Sequence, residues 1–154
     1  WHYPAIAPII KKWWKLRYTL IPYIIAQSRK AISSGAPLLQ ALIFHHPEDK
    51  LCWHIDDEYY FGNDFLVAPV MNSENRRDVY LPEGQWVNFF TGEVLEGGRW
   101  LKDLDVPLDE MPVYVRQGAT IPVYPDEVEC TDEMDLSKSA ELHIDNHFKG
   151  IFKD

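Results

Sequence analysis

Apolar residues between positions 9 and 32 recur at the spacing of an α-helix. Most of them lie three, four or seven residues from the one before, at Ile10, Trp13, Trp14, Tyr18, Ile21, Ile24, Ile25 and Ile32. Such spacing places them on one stripe of a helix, so Trp13 and Trp14 are expected in the core. Pro22 removes one backbone hydrogen bond and should kink the helix or split it. Gly35 followed by Pro37 is typical of its C-terminal end.

The next segment, residues 38–44 (LLQALIF), is a nearly continuous apolar run of strand length. Such a run predicts a strand buried on both faces, as in an α/β unit. One strand cannot close a sheet, so its partners are expected from outside this chain. Residues 56–62 (DDEYYFG) are interpreted as a short helical turn with acidic residues at its start and glycine at its end.

From Phe65 onward the pattern changes to short apolar runs separated by Gly, Pro and Asn. The predicted strands are Phe65–Val70, Arg77–Leu81, Trp86–Phe89, Glu93–Glu96, Arg99–Leu104, Val113–Arg116, Thr120–Tyr124 and Ala140–Ile144. Short strands with regular turns are typical of an antiparallel sandwich or barrel. The predicted fold is therefore mixed: an N-terminal α/β piece over residues 1–62, then a mainly antiparallel β-sandwich over residues 63–154.

Composition narrows the class of protein. The 154 residues include 24 acidic and 15 basic side chains, which gives a formal net charge of −9, and 46 % are hydrophobic. This is a globular composition. The negative charge argues against nucleic acid or an anionic membrane as partner, since both attract basic surfaces.

No apolar stretch reaches the roughly 20 residues of a membrane span, and no signal segment is expected. Because the first residue is Trp1, we expect a piece of a longer protein.

The two cysteines, Cys52 and Cys130, lie 78 residues apart and outside any CxxC spacing. Two free, buried thiols are the favoured interpretation, and a single long-range disulfide is the alternative. Free thiols favour a cytoplasmic or otherwise reducing compartment.

Five blocks of sequence resemble glycoside hydrolase family 31, which contains α-glucosidases and α-xylosidases. Residues 16–24 (LRYTLIPYI) are similar to its LRYxLxPYxY helix. Residues 55–70 (IDDEYYFGNDFLVAPV) resemble its DDQYMFGDxLLVAPV segment. The other three blocks are residues 77–86 (RDVYLPEGQW, like RxVYLPEGxW), residues 91–100 (TGEVLEGGRW, like TGExxxGGRW) and residues 112–122 (PVYVRQGATIP, like PVFVRxGAxIP).

The resemblance implies an architecture and a mechanism. Residues 1–62 would be the last part of a (β/α)8 barrel, with residues 38–44 as its final strand, followed by the β-sandwich. The family hydrolyses α-glycosidic bonds with retention, using two aspartates about 5–5.5 Å apart. Both motifs lie upstream of the segment matched here, so no catalytic residue is assigned and the chain alone is expected to be inactive. No cofactor is implied. Gln40-Ala41 replaces the Arg-Pro of many relatives, which leaves the preferred sugar open.

His45 and His46 are the candidate substrate-contacting residues. They follow the predicted final strand, and active sites of such barrels lie at the C-terminal ends of strands. A contact with sugar hydroxyls at the rim is therefore one interpretation. The other is a pair of exposed histidines in a turn. A metal site is not expected, because adjacent histidines without a placed carboxylate rarely form one.

Other candidate groups have structural interpretations. Asp56, Asp57, Glu58 and Asp64 could form a catalytic pair, but acids at a helix start and in a turn are favoured. Residues 126–135 are acidic and lack the glycine turn of a calcium loop, so a solvated loop is expected. Among the aromatic residues, Trp86 and Trp100 are expected to pack inside, whereas Trp1 and Trp53 are the candidates for exposure.

Three functional hypotheses follow. The first is a structural C-terminal piece of a retaining α-glycosidase acting on α-linked gluco- or xylo-oligosaccharides. The second is a non-catalytic carbohydrate-binding module centred on Trp86 or Trp100. The third is an interaction subunit that completes a barrel supplied by another chain, which would be seen as an oligomer or a complex.

Overall fold

The computed structural model of the protein describes residues 3–151, and two helices begin it. Helix α1 spans Ala7–Thr19 and helix α2 spans Ile21–Ser34. Pro22 occupies the first turn of α2, where its missing N–H has no intrahelical partner to lose. Gly35 ends α2 in a left-handed conformation, with φ of 75°, and its N–H donates to the carbonyl of Ala31. The predicted break and the predicted C-terminal glycine are both confirmed.

The described residues after α2 form ten strands. They are β1 Leu39–Ala41, β2 Tyr59–Phe61, β3 Phe65–Val67, β4 Arg76–Leu81, β5 Gln85–Asn88, β6 Val94–Glu96, β7 Arg99–Asp105, β8 Val113–Arg116, β9 Thr120–Val123 and β10 Ala140–His143. All eight strands predicted after Phe65 are present, with boundaries that differ by three residues or fewer. Every pairing is antiparallel.

The strands form three sheets. Six of them pair in the order β1-β2-β3-β8-β5-β6, while β9 pairs with β10 and β4 with β7. The two small sheets and the helices pack against the large one. Antiparallel sheets with two helices confirm the predicted mixed fold with a β-sandwich. Residues 62 and 63, where a domain boundary is predicted, form the turn between β2 and β3, which are neighbouring strands of the six-stranded sheet.

The segment 38–44 differs from its prediction. Only Leu39–Ala41 is a strand, and residues 42–44 form a 3-10 turn. The strand is not buried on both faces, because Leu39 is 57 % exposed. It also has a partner within this chain, since Gln40 pairs with Tyr60 of β2. A strand at the edge of a sheet is covered on one side only, which a run of apolar letters does not reveal.

Residues 56–62 also differ from their prediction. Tyr59, Tyr60 and Phe61 form strand β2, not a helical turn. Aromatic residues favour strands, and pairing with β1 and β3 outweighs the acidic start and glycine end that suggested a helix. Gly62, with φ of 65°, makes the turn into β3. A Cβ there would clash with the Tyr23 hydroxyl, so the position requires glycine.

Two apolar cores hold the described residues together. The first core joins the helices to the large sheet and contains Leu16, Leu20, Tyr23, Phe65, Val67, Val87, Phe89, Val113, Val115, Ile121, Val123, Ile144 and Phe148. The second core lies on the other face and contains Leu42, Cys52, Ile55, Tyr60, Leu66, Ala68, Val79, Tyr80, Leu81, Trp86 and Tyr114.

The cysteines and tryptophans test several expectations. Both cysteines are free, as predicted, but Cys130 is exposed and only Cys52 is buried. Trp86 is fully buried and Trp53 is 61 % exposed, as predicted. Trp14 is 54 % exposed, so its placement in the core is wrong. Adjacent helical residues point about 100° apart, so Trp13 and Trp14 cannot both face the sheet.

The remaining expectations have mixed outcomes. Trp100 is 36 % exposed and packs against the ring of Tyr80, with centroids 5.2 Å apart. Trp1 lies outside the described residues. The acidic side chains between positions 126 and 135 are exposed, as expected of a solvated loop. Neither helix in the described part of the chain is long and apolar enough to cross a membrane.

Candidate functional site

His45 and His46 follow the 3-10 turn that ends β1. Both backbone N–H groups donate to the carbonyl of Leu42, at 3.1 Å, which closes the turn. Neither histidine is fully exposed. The ring of His45 lies over the ring of Tyr60, with centroids 4.1 Å apart, and its Nε2 is buried with no hydrogen-bond partner among the described residues. The two side chains are thus held against β2 of the large sheet.

Tyr60 and Arg116 fix the orientation of His46. Nη2 of Arg116 donates to the Tyr60 hydroxyl oxygen at 3.0 Å, and that hydroxyl lies 2.8 Å from Nε2 of His46. Arginine can only donate, so the tyrosine proton is directed to His46, whose Nε2 accepts it. This network assigns the proton of a neutral His46 to Nδ1. Arg116 itself lies between the rings of Tyr60 and Trp86, at 5.2 and 5.0 Å from their centroids.

Both histidines are neutral near pH 7. Burial, together with the charge of Arg116, lowers the pKa of His45 to about 4. Burial and Arg116 also lower the pKa of His46, although Asp49 and Glu83 oppose that shift. A neutral imidazole has one N–H donor and one nitrogen acceptor. The pair therefore acts through hydrogen bonds and not through positive charge.

A cleft of about 670 Å³ opens beside these histidines, and we call it the rim cleft. One wall is the segment 45–49, and the other contains Tyr80, Glu83, Glu96, Gly97 and Gly98. The Tyr80 hydroxyl donates to Asp49 Oδ2 at 2.5 Å and ties the walls together. A Cβ at Gly97 would clash with the carbonyl oxygen of Pro82, so glycine is required where the two hairpins touch.

A buried ion pair lies in the second core, on the other side of Tyr80. The side chain of Glu58 is fully buried, and its Oε1 accepts from the N–H of Tyr80 at 2.7 Å and lies 3.5 Å from Nη2 of Arg77. Its Oε2 is buried and has no partner among the described residues. Burial raises the pKa of Glu58 to about 7, although the Tyr80 N–H and Arg77 oppose that shift.

Three of the four acids considered as a catalytic pair have structural partners, and two of them, Asp57 and Glu58, share Arg77. Asp56 is exposed. Asp57 accepts from Arg77 at 3.1 Å, while Asp64 accepts from the Tyr23 hydroxyl at 3.1 Å. No three metal-binding side chains group together anywhere in residues 3–151. Asp57, Glu58 and Asp64 therefore stabilise the fold, and they do so from the segments on either side of β2 and not from a helix.

Tyr60, Arg77 and Arg116 were not foreseen as site residues, and Glu58 was expected at a helix start and not in a buried ion pair. A signal was available for the two arginines, because each stands in a predicted strand among buried neighbours. A charged residue at such a position needs a partner. Their partners, Tyr60 and Glu58, lie in β2 or directly before it, where a helical turn was predicted.

Comparisons with known proteins agree with this architecture. A sequence family described as glycosyl hydrolase family 31 C-terminal domain matches residues 35–121, more than half of the chain. Alpha-glucosidase 2 of Bacillus thermoamyloliquefaciens is 34 % identical over 146 residues, which cover 94 % of this chain and 17 % of that protein. An alpha-xylosidase of Saccharolobus solfataricus is 36 % identical over 136 residues, or 86 % of this chain and 18 % of that protein.

A solved structure shows the same fold. The GH31 dextranase of Flavobacterium johnsoniae, in a mutant form complexed with isomaltotriose, aligns with a TM-score of 0.73 and 36 % identity. The alignment covers 77 % of this chain and 15 % of the dextranase chain. The fold is thus that of a β-sandwich domain found at the C-terminal side of glycosidases. The chain belongs to glycoside hydrolase family 31, and it spans less than a fifth of the length of these relatives.

Proposed function

We propose that this chain is the C-terminal part of a retaining α-glycosidase that hydrolyses α-glucosidic or α-xylosidic bonds in oligosaccharides. The observation that supports it is the family 31 match over residues 35–121, together with relatives that are an alpha-glucosidase and an alpha-xylosidase. In this proposal the catalytic aspartates lie in the larger part of the protein, outside the 154 residues.

The role of the chain is then structural, and the isolated chain is inactive. The state of its own acids supports this. A catalytic carboxylate must reach the anomeric carbon and must ionise or donate a proton there. Glu58 is buried beneath Arg77 and Tyr80, and Asp64 is held by Tyr23. Neither is free to serve as nucleophile or acid.

The rest of the catalytic barrel is the proposed partner of the N-terminal elements. Several large apolar side chains on the helices and the following turns are exposed in the chain by itself: Ile6, Trp14, Ile32, Leu39, Phe44 and Trp53. Scattered apolar residues are normal on a surface, and Met71 and Leu108 are exposed later in the chain. However, residues 3–53 hold eight of the thirteen exposed large apolar side chains among the described residues. We propose that barrel elements, in the same chain or in a second one, cover them.

His45 and His46 are the proposed substrate-contacting residues of the rim. They follow β1 and the 3-10 turn of residues 42–44, the segment proposed to end the barrel, and they are neutral hydrogen-bonding groups at pH 7. Neutral donors and acceptors suit the hydroxyl groups of a sugar.

The alternative, a free-standing carbohydrate-binding module, receives less support. Trp86, one of its two proposed centres, is fully buried, so it cannot stack on a sugar ring. Trp100 remains as the other centre, although Tyr80 and Lys102 already contact it.

The test is hydrolysis of p-nitrophenyl α-glucoside and p-nitrophenyl α-xyloside. We expect turnover by the full-length protein and none by the 154-residue chain. Turnover by the chain itself, abolished in Asp56→Asn or Asp57→Asn, would move the chemistry into this segment. A full-length protein inactive on both substrates would overturn the proposed activity.

A further inference from the structure

The rim cleft is acidic. Its lining within residues 3–151 includes four carboxylates, those of Glu48, Asp49, Glu83 and Glu96, and no lysine or arginine. A phosphate, a nucleotide or a sugar acid would meet like charge without a cation to balance it. The cleft therefore favours a neutral or a positively charged ligand.

Both walls of the cleft carry hydrogen-bonding groups that have no partner among the described residues. No other group within residues 3–151 hydrogen-bonds to the carboxylate of Glu83 or of Glu96. On the opposite wall, His46 has its Nε2 occupied by the Tyr60 hydroxyl and keeps Nδ1–H as a donor. Carboxylates that accept and an imidazole that donates are complementary to hydroxyl groups, which do both.

The walls are organised before any ligand binds. The bond between Tyr80 and Asp49 joins them, and the N–H of Gly97 donates to the carbonyl of Gly84 at 2.7 Å. Arg116 and Tyr60 hold His46 from behind. A preorganised cleft loses less conformational entropy on binding than a mobile one. Its volume of about 670 Å³ falls within the roughly 300–1,000 Å³ usual for small-molecule sites.

We propose that the rim cleft is a binding subsite for a neutral pyranose unit of an α-linked oligosaccharide. Glu83 and Glu96 accept hydrogen bonds from sugar hydroxyls, and His46 donates one. This deepens the proposed function, on which it rests, because it assigns a contact with the oligosaccharide to the sandwich hairpins. Arg116 and Tyr60 are positioning residues that act through His46.

Binding to the 154-residue chain gives the direct test. Maltotriose and isomaltotriose are titrated while the imidazole nitrogen signals of His46 are followed by NMR. We expect saturable shifts, and binding about tenfold weaker in the double variant Glu83→Gln/Glu96→Gln, because amides are weaker acceptors than carboxylates. Binding to His46→Ala, which lacks the reporting ring, is followed by the backbone amide signals of Gly97 and Gly98 and should be lost. Matched controls are the double variant Glu74→Gln/Glu93→Gln and His54→Ala, which change exposed residues outside the cleft and should bind as the wild type does.

Three results would overturn the proposal. They are absence of binding to either sugar, equal loss in the matched controls, and binding of spermidine but not of sugar, which would make the cleft a cation site. The full-length protein separates this test from that of the proposed function. There, Glu83→Gln/Glu96→Gln should raise KM for the trisaccharides about tenfold, whereas the matched control Glu74→Gln/Glu93→Gln should leave this KM unchanged. An active protein with unchanged KM would reject the cleft alone.

Discussion

The two cores differ in what they bury. The first core contains aliphatic and aromatic side chains, with the Tyr23 hydroxyl as a polar group at its border. The second core encloses the carboxylate of Glu58 and the guanidinium of Arg77, whose side chains are 0 % and 5 % exposed. The candidate site lies beside the second core and shares Tyr60, Tyr80 and Trp86 with it. Packing alone accounts for the first core, whereas the second depends on hydrogen bonds to charged groups.

The two cores should respond differently to substitution, because different interactions stabilise them. Removing an apolar side chain leaves a cavity, whose cost depends on volume. Removing a partner from a buried polar network leaves a charge or donor unsatisfied. Changes in the second core should therefore alter pH dependence and the state of His46, while changes in the first core should alter stability alone.

The largest effect is expected for Trp86→Ala. Its side chain is fully buried, its Nε1 donates to the carbonyl of Pro82 at 2.8 Å, and its ring contacts Arg116. We expect a loss of about 3–5 kcal/mol in the free energy of unfolding, measured with urea. Phe89→Ala in the first core should cost about as much, since Phe89 is also fully buried.

NMR at a urea concentration where both variants remain folded sharpens this comparison. The nitrogen signals of His46 should change in Trp86→Ala and stay constant in Phe89→Ala. An equal change in both variants would mean that the cores are not separate in this respect. Trp53→Ala, at an exposed position, is the control and should cost less than about 1 kcal/mol.

The second-largest effect is expected in the pH dependence of the free energy of unfolding, through Glu58. Its pKa is raised from 4.5 to about 7 in the fold, mainly by burial. The folded state therefore binds more protons than the unfolded state between these values. The stabilisation is fully present below about pH 4.5 and is lost as the pH rises through 7. Relative to Glu58→Gln, the wild type should lose on the order of 3 kcal/mol across this range.

Urea unfolding at intervals between pH 4 and pH 8 measures this difference. The amide of the Gln variant still accepts from the Tyr80 N–H but does not titrate, so subtraction isolates Glu58. Asp56→Asn is the neighbouring control and should follow the wild type. A wild type that becomes more stable than Glu58→Gln as the pH rises would show that Arg77 outweighs burial.

The smallest effect is expected for Tyr23→Phe in the first core. The hydroxyl lies 3.0 Å from the carbonyl of Phe61 and 3.1 Å from Asp64 Oδ2, and it accepts from the Asp64 N–H at 3.2 Å. We expect a loss of about 1–2 kcal/mol, because the N–H and the carboxylate each lose a partner while the ring stays in place. The pH dependence should not change, and a change in it would remove the contrast between the cores.

Much of the fold could be predicted because its signals are local. The helical spacing around Pro22 and the turns after Phe65 depend on neighbouring residues, and both predictions are confirmed. The errors are at Leu39 and at β2, where pairing between distant segments decided the outcome. The candidate site was half anticipated: His45 and His46 follow β1 as expected, but their partners were not foreseen.

By itself the sequence determined the family, the two helices, most of the strands and the absence of any recognisable catalytic motif in this segment. Only the tertiary structure decided that Arg116, 70 residues beyond His46, holds it through Tyr60. The same is true of Glu58 beneath Arg77, and of the cleft formed by the 45–49 segment and the hairpins. Periodicity reports which face of an element is apolar, whereas these contacts depend on the register between strands that are far apart in the chain.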